Sequence, residues 1–242
     1  MTSTSGLHEL DPAVLRAWER SFLGTVPGTD FRADLLSDAV FSTFAPGHLV
    51  QEHDFRWMQE PYPVSLVVEG SFRGYLGSPK GRQATVQYLH TGDTWGLVRT
   101  LTEQSTFEPR IKYQALVPSS VLTFRGAKFM AAVKKNPAVA LALSRELARV
   151  ITLRTSSLES SVFSDTSTRI AEHIAELAVP DPETGLPTVW LSQQEIADAV
   201  GTVREVVTRA IGQLRSRDIV RYSGRRLEIL DMKALVNEGR PQ

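Results

Sequence analysis

Residues 191–220 read LSQQEIADAVGTVREVVTRAIGQLRSRDIV. Ser192 followed three positions later by Glu195 is a capping box, a reciprocal pairing that satisfies the free N–H groups at the start of a helix. The helix it opens has Ile196, Ala197 and Val200 as its buried stripe. Gly201 then ends the helix where two helices must turn tightly against each other. A second helix is expected from about Thr202 or Val203, with Val206, Val207, Ala210, Ile211 and Leu214 on its apolar face. Its other face carries Arg204, Glu205, Thr208 and Arg209, which fall at i, i+1, i+4 and i+5 and project together from the N-terminal half. The following stretch, IVRYSGRRLEIL, reads as two short strands around a Ser-Gly turn with basic residues, Arg225 among them, at its tip. Helix, glycine turn, helix and basic hairpin make up a winged helix-turn-helix.

That arrangement has a definite chemistry. The N-terminal half of the second helix is the part that enters a major groove. Arginine there donates in bidentate fashion to guanine O6 and N7, and glutamate accepts from cytosine N4. An acid on a surface that meets phosphates is unfavourable unless it reads a base or orients an arginine, so Glu205 is informative. The residues expected to touch double-stranded DNA are therefore Arg204, Glu205, Thr208 and Arg209, with Ser192, Gln193, Thr202 and Arg225 around them. The competing reading is a helical hairpin whose Arg/Glu face is merely solvated, and the adjacent wing pattern weighs against it. Charge agrees locally: from Arg204 to Arg226 there are seven arginines against Glu205 and Asp218, an excess of five.

Elsewhere charge is silent, because the 242-residue chain has a formal net charge of zero. Its length suits two modest domains. With 42% hydrophobic and 22% charged residues it can bury ordinary cores. It has no cysteine, which excludes disulfides, thiolate zinc sites, Cys-ligated iron–sulfur clusters and cysteine nucleophiles together. No run of about 18 uncharged apolar residues is present, and the start MTSTSGLHELDPAVL has neither a basic n-region nor an apolar h-region. A cytoplasmic protein with no membrane partner is expected.

The fold class expected is α+β. Residues 1–30 hold a polar tail and a short helix, Pro12 to Leu23, marked by Leu15, Trp18 and Phe22. Residues 31–135 form a β-roll, because VFSTF, HLVQEH, VSLVVEG, SFRGYLG, ATVQYLH, IKYQALV and SVLTF are short strand patterns separated by turn residues. The β texture ends at Phe124, and a short helix follows around Ala127 to Lys134. After the break at Asn136-Pro137, residues 136–163 form a long helix in which Leu143, Leu147, Val150, Arg154, Ser157 or Leu158, and Ser161 alternate at spacings of three and four. Such a seam suits a parallel dimer, which would supply two-fold symmetry for DNA half-sites. The alternative is one amphipathic helix packed on its own β domain. Asp165 to Ser167 is a candidate hinge, a helix follows over Thr168 to Leu177, and PDPETGLPT at 180–188 reads as a loop. Residues 164–242 form the winged domain.

With these parts in place, QEIADAVGTVREVVTRAIGQL resembles the C-terminal domain of the cyclic-AMP receptor protein and FNR family (Crp/Fnr) of bacterial regulators, and the resemblance extends over nearly the whole chain. It implies an N-terminal sensor like a cyclic-nucleotide-binding jelly roll, a long dimerisation helix and a homodimer acting as a transcription regulator, with RNA polymerase as a further partner. In that family the recognition helix carries Arg, Glu and a second Arg five positions after the first, which Arg204, Glu205 and Arg209 match. The resemblance therefore implies a palindromic site with TGTGA-like arms, with Ser192 and Gln193 placed at the phosphate backbone.

The sensor departs from the family pattern. Gly92-Asp93-Thr94-Trp95-Gly96 keeps the turn frame, but Leu97 stands where the ribose-binding glutamate is expected. The phosphate-binding arginine position falls near Pro109, with Arg110 adjacent and no serine after it. Losing that charge-assisted contact costs about 2–3 kcal/mol, so control by cyclic AMP is not expected. Arg154, with Thr155 beside it, replaces a threonine of the family's dimer helix. It could meet an anionic ligand, the plainer role being a pair with a nearby acid. Leu97, Arg110, Arg154 and Thr155 are thus the candidate ligand positions, and the effector is unknown. His8, His48, His53, His90 and His173 are possible haem ligands in principle, though surface or hydrogen-bonded roles are the ordinary ones.

An enzyme would need a nucleophile–base set, a metal cluster or a phosphate loop, and no HExxH, GxSxG or Walker pattern occurs. The glycines of GSPKGRQ lack Walker spacing and read as a hairpin turn. The alternative to a DNA reader is a module of the same architecture that responds to another small ligand, such as an anionic metabolite, another nucleotide or haem, with weak or lost DNA binding.

Overall fold

The computed structural model describes residues 11–28, 30–50, 61–77, 83–102, 111–181, 184–223 and 226–239, with 156–163 and 223 described by backbone alone. Its tertiary contacts group into two compact units, Met1–Leu76 with Gln87–Ile151, and Gly77–Val86 with Thr152–Gln242.

The first unit begins with α1 (Pro12–Arg20), capped by the Asp11 side chain accepting from the Ala13 N–H at 2.8 Å. The helix expected to run to Leu23 stops at Arg20 and tightens into a 3-10 turn, Phe22–Thr25. Helix α2 (Asp30–Leu36) was not legible in the sequence. Among the described residues seven strands follow: β1 (Val40–Phe44), β2 (Val64–Glu69), β3 (Ser71–Gly77), β4 (Gln83–His90), β5 (Thr94–Trp95), β6 (Lys112–Ala115) and β7 (Ser119–Phe124). All but β5 correspond to expected runs; β5 falls in the stretch read as a turn frame, and HLVQEH contributes a single bridge, Leu49 to Gln114, within its described part. They form two sheets, in the orders β1-β7-β2-β5 and β4-β3-β6. Among the described residues between β5 and β6 lies an unforeseen helix, α3 (Leu97–Leu101).

Strand β2 is continuously buried rather than alternating, and the two core clusters show why. Val64, Leu66 and Val68 face a cluster shared with Trp18 of α1, Leu122 and Phe124 of β7, and Phe129. Val67 faces inward with Phe44, Phe72, Leu89, Trp95, Ala115 and Val121, which come from both sheets. A sheet covered on both faces needs apolar residues at every position. Of the polar exceptions, Ser65 and Thr123 pair with each other, their Oγ and Oγ1 atoms 2.9 Å apart. Each fully buried Phe or Leu of these clusters stabilises the unit by about 1.5–3 kcal/mol.

Helices α4 (Gly126–Lys135) and α5 (Pro137–Phe163) close the unit. The seam expected on α5 is displaced. Leu143 is 4% exposed and belongs to the helix-facing core with Val139 and Ala142, while Leu147 packs against that core. Among the described residues, the large apolar side chains left on the surface of α5 are Leu141, at 52%, Ile151, at 65%, and Leu153, at 51%. The spacing of three and four was a true helical stripe, but this part of it faces the helix's own domain, as the alternative reading held.

The second unit contains α6 (Thr166–Leu177), whose N-cap Asp165 accepts from the Thr168 N–H at 2.8 Å. The break between α5 and α6 therefore falls at the expected hinge, whereas tertiary contacts divide the chain earlier, at Ile151 and Thr152. The stretch read as a loop holds two short strands, β8 (Val179–Pro180) and β9 (Pro187–Val189). Then come α7 (Gln193–Val200), α8 (Arg204–Ser216), β10 (Val220–Ser223), β11 (Arg226–Ile229) and α9 (Met232–Glu238). The four strands order as β10-β11-β9-β8, and the helices bury Ile170, Ile174, Ile196, Val207, Ile211, Leu214 and Leu235.

Candidate nucleic-acid interface

Local chemistry builds the helix-turn-helix as expected. Ser192 Oγ accepts from the Glu195 N–H at 3.2 Å, and Glu195 Oε2 accepts from the Ser192 N–H at 2.8 Å, which completes the capping box. Gly201 takes φ +73, a left-handed conformation that costs a side-chain-bearing residue about 1–2 kcal/mol. The Thr202 N–H donates to the Ala197 carbonyl at 2.9 Å across this turn. Val207, Ala210, Ile211 and Leu214 turn α8 inward. Arg204, Glu205, Thr208 and Arg209 are all exposed on its other face.

These four side chains differ in their commitments. Among the described residues the side chains of Arg204, Glu205 and Arg209 make no hydrogen bond or ion pair. Thr208 Oγ1 donates to Gln193 Oε1 at 2.6 Å, with the Arg204 carbonyl oxygen 2.9 Å away. Gln193 Nε2 in turn donates to the hydroxyl of Tyr222 on β10 at 3.1 Å. Ser192 spends its hydroxyl proton on Glu195 Oε2 at 2.7 Å. Leu191, Ser192, Gln193, Gln194, Arg204 and Tyr222 line one open cleft of about 480 Å³ beside α8. Tyr222 was missed in the sequence; the signal was an aromatic residue with a polar tip on the first wing strand.

The basic excess is smaller than a linear count implies. Arg217 pairs with Glu238 at 2.8 Å, Arg221 with Glu228 at 2.6 Å and Arg226 with Asp181 at 2.7 Å. The partner carboxylates lie outside the 204–226 window, so counting within it could not find them. Arg226, the first residue of β11, is a structural residue, its guanidinium also 5.5 Å from the Trp190 ring. Arg225 lies outside the described residues.

The described sensor candidates lie on separate elements, Leu97 on α3 and Arg154 and Thr155 on α5. Leu97 is the first residue of α3, 6% exposed and packed in the helix-facing core. Gly96 keeps φ +92, and a Cβ there would stand 2.3 Å from the Pro63 carbonyl oxygen, so the turn frame survives without its glutamate. Inside the roll the Phe72 and Trp95 rings are 5.2 Å apart, and Trp95 stacks on Tyr113 at 4.9 Å. Arg154 donates to the Val86 carbonyl, and its charge acts on Glu176 of α6. Thr155 is exposed. Arg110, His8 and His53 lie outside the described residues. Among the described residues no group of three or more His, Asp or Glu side chains is placed to hold a metal, and no helix is long and apolar enough to cross a membrane.

A β-roll unit joined to a winged helix-turn-helix with an exposed Arg/Glu face defines a DNA-binding transcription regulator. Residues 168–238 match the family model of the Crp-like helix-turn-helix domain. The chain is similar to the cAMP-activated global transcriptional regulator CRP of Salmonella typhimurium, 24% identical over 167 residues that cover 67% of this chain and 78% of that protein. It is likewise similar to the cAMP-activated global transcriptional regulator Vfr of Pseudomonas aeruginosa, 24% identical over 169 residues, 68% of this chain and 78% of that one. Among solved structures, FixK2 from Bradyrhizobium japonicum shares the fold with a TM-score of 0.67 at 21% identity, over 84% of this chain and 98% of the other. A Crp/Fnr-family regulator from Eubacterium rectale also has a TM-score of 0.67, at 18% identity, over 88% of this chain and 95% of the other. The family model and the curated relatives are those of Crp/Fnr transcription regulators, and these relatives are regulators rather than enzymes.

Proposed function

We propose that this regulator binds DNA as a homodimer in the cytoplasm, placing two α8 helices in successive major grooves of a palindromic site with TGTGA-like arms. The observation that carries the reading is that Arg204, Glu205 and Arg209 stand exposed and uncommitted on the N-terminal half of α8, whereas Arg217, Arg221 and Arg226 are spent on internal ion pairs. Side chains free of internal partners are the ones available to base edges.

Dimerisation uses the exposed stripe of α5. Leu141, Ala148 and Ile151 are exposed at spacings of seven and three, and the same register continues in sequence through Thr155, Leu158 and Val162. The RNA polymerase is the partner of the DNA-bound dimer. Cyclic AMP does not control it, since Leu97 offers no carboxylate and aromatic rings occupy the roll interior.

The test is selection of bound sequences from a random duplex pool, repeated with Arg204→Ala and Arg209→Ala. A two-fold-symmetric consensus that relaxes at one base pair per arm in each variant is the expected result, with about 1–3 kcal/mol of discrimination lost at that position. A profile unchanged by either substitution would falsify the assignment.

A further inference from the structure

The side chains of Thr208, Gln193 and Tyr222 form a chain of hydrogen bonds across three elements: α8, the first turn of α7, and strand β10 of the wing. Each link is local in space and remote in sequence, the outer two residues being 14 positions apart. Proton accounting gives the chain a direction. A threonine hydroxyl has one proton, and the shorter contact, 2.6 Å to Gln193 Oε1 against 2.9 Å to the Arg204 carbonyl, takes it. The Gln193 amide is then oriented, with Oε1 toward Thr208 and one Nε2 proton toward Tyr222. The Tyr222 oxygen accepts that proton and keeps its own. That remaining O–H sits on the wall of the cleft that it shares with Arg204 and the start of α7.

We propose that Tyr222, Gln193 and Thr208 are a positioning relay that locks the recognition helix to the wing, with the Tyr222 hydroxyl as its outer, phosphate-facing donor and the Thr208 hydroxyl turned inward rather than to a base. The proposal rests on α8 reading bases as described above, and it makes Thr208 differ from its neighbours on the same face. Arg204, Glu205 and Arg209 discriminate sequence. Thr208 holds their helix in register with a backbone contact made on the wing. Because the three groups act as one unit, breaking any link releases the same constraint, and a second break has little left to remove. Because the phenol is uncharged, its contact to phosphate releases no counterion, so affinity falls without a change in salt dependence.

The experiment measures binding of the duplex recovered from the random pool, together with full selection profiles, for Thr208→Val, Gln193→Ala, Tyr222→Phe, the Thr208→Val/Tyr222→Phe double variant, Thr208→Ser and Arg209→Ala. Valine keeps the shape and a methyl of Thr208 and removes the hydroxyl alone. Each single break is expected to weaken binding about three- to tenfold, the usual value of one hydrogen bond. The profile should stay unchanged at every base pair, as should the salt slope for Tyr222→Phe. The double variant should be no weaker than the worse single one, and Thr208→Ser should recover affinity to within about twofold. Losses that multiply in the double variant, or a Thr208→Val profile relaxed at one base pair, overturn the relay. An Arg209→Ala profile unchanged at every position overturns base reading by α8 and the relay with it, so the two failures are told apart.

Discussion

Arg226 Nη1 donates to Asp181 Oδ2 at 2.7 Å, tying the second wing strand to the residue that precedes the β8–β9 turn. The other carboxylate oxygen of Asp181 accepts from the Thr184 N–H at 2.9 Å and from its hydroxyl at 3.1 Å. With the Asp181 side chain 1% exposed, this arginine is committed to the fold of the wing.

Arg226→Met should therefore act on stability. It leaves a buried carboxylate without its counter-charge, an arrangement that costs about 3–5 kcal/mol. Thermal unfolding should show a large drop in Tm, while the base profile of the folded protein stays that of the parent. An Arg226→Met protein of parental Tm and weakened DNA binding would return Arg226 to the interface.

The two stripes of α5 should separate cleanly. Leu143→Ala hollows the helix-facing core and should destabilise by about 2–5 kcal/mol with the oligomeric state unchanged. Ile151→Glu places a charge on the exposed stripe and should shift sedimentation to a monomer with little change in the stability of the β-roll. Monomers from Leu143→Ala and dimers from Ile151→Glu would reverse the assignment of the faces.

Leu97→Glu restores the carboxylate that cyclic-nucleotide binders place at this position, but here it enters a packed core. The expected cost is about 3–5 kcal/mol for an uncompensated buried charge, with no gain of cyclic AMP binding by calorimetry. Micromolar binding by this variant would show that the turn retains a working pocket.

Glu176 is exposed as a residue, yet desolvation of its carboxyl, joined by the nearby Glu172 charge and opposed by Arg154, raises its pKa above the ordinary carboxylate value. A carboxyl whose pKa is higher folded than unfolded binds more protons in the native state, so stability falls as pH rises through the interval between the two values. Glu176→Gln should raise Tm at neutral pH, and the difference should close as the pH is lowered through the carboxylate range. A Tm difference independent of pH would assign the effect to packing.

How much was legible in advance follows from the range of each interaction. The capping box of Ser192 and Glu195, the turn at Gly201, the exposed face of Arg204, Glu205 and Arg209, and the strands of the β-roll other than the two-residue β5 were readable, because each rests on residues a few positions apart or on a period of two or 3.6. Helices α2, α3 and α9 escaped notice, being five to seven residues long and too short to display a period. The strands β8 and β9 were hidden for another reason: β9 is held by pairing with β11, as Val189 opposite Leu227 shows.

By itself, then, the sequence determined that this chain carries a β-roll and a winged helix-turn-helix, and which polar face of the second helix is left exposed. Only the tertiary structure decided which arginines remain free, which stripe of α5 is buried, and that Thr208 answers to Gln193 and Tyr222. The physical reason is partner distance: Arg226 and Asp181 are 45 residues apart and Arg217 and Glu238 are 21 apart. A charge or hydroxyl in a linear sequence does not reveal whether folding will bring it a partner.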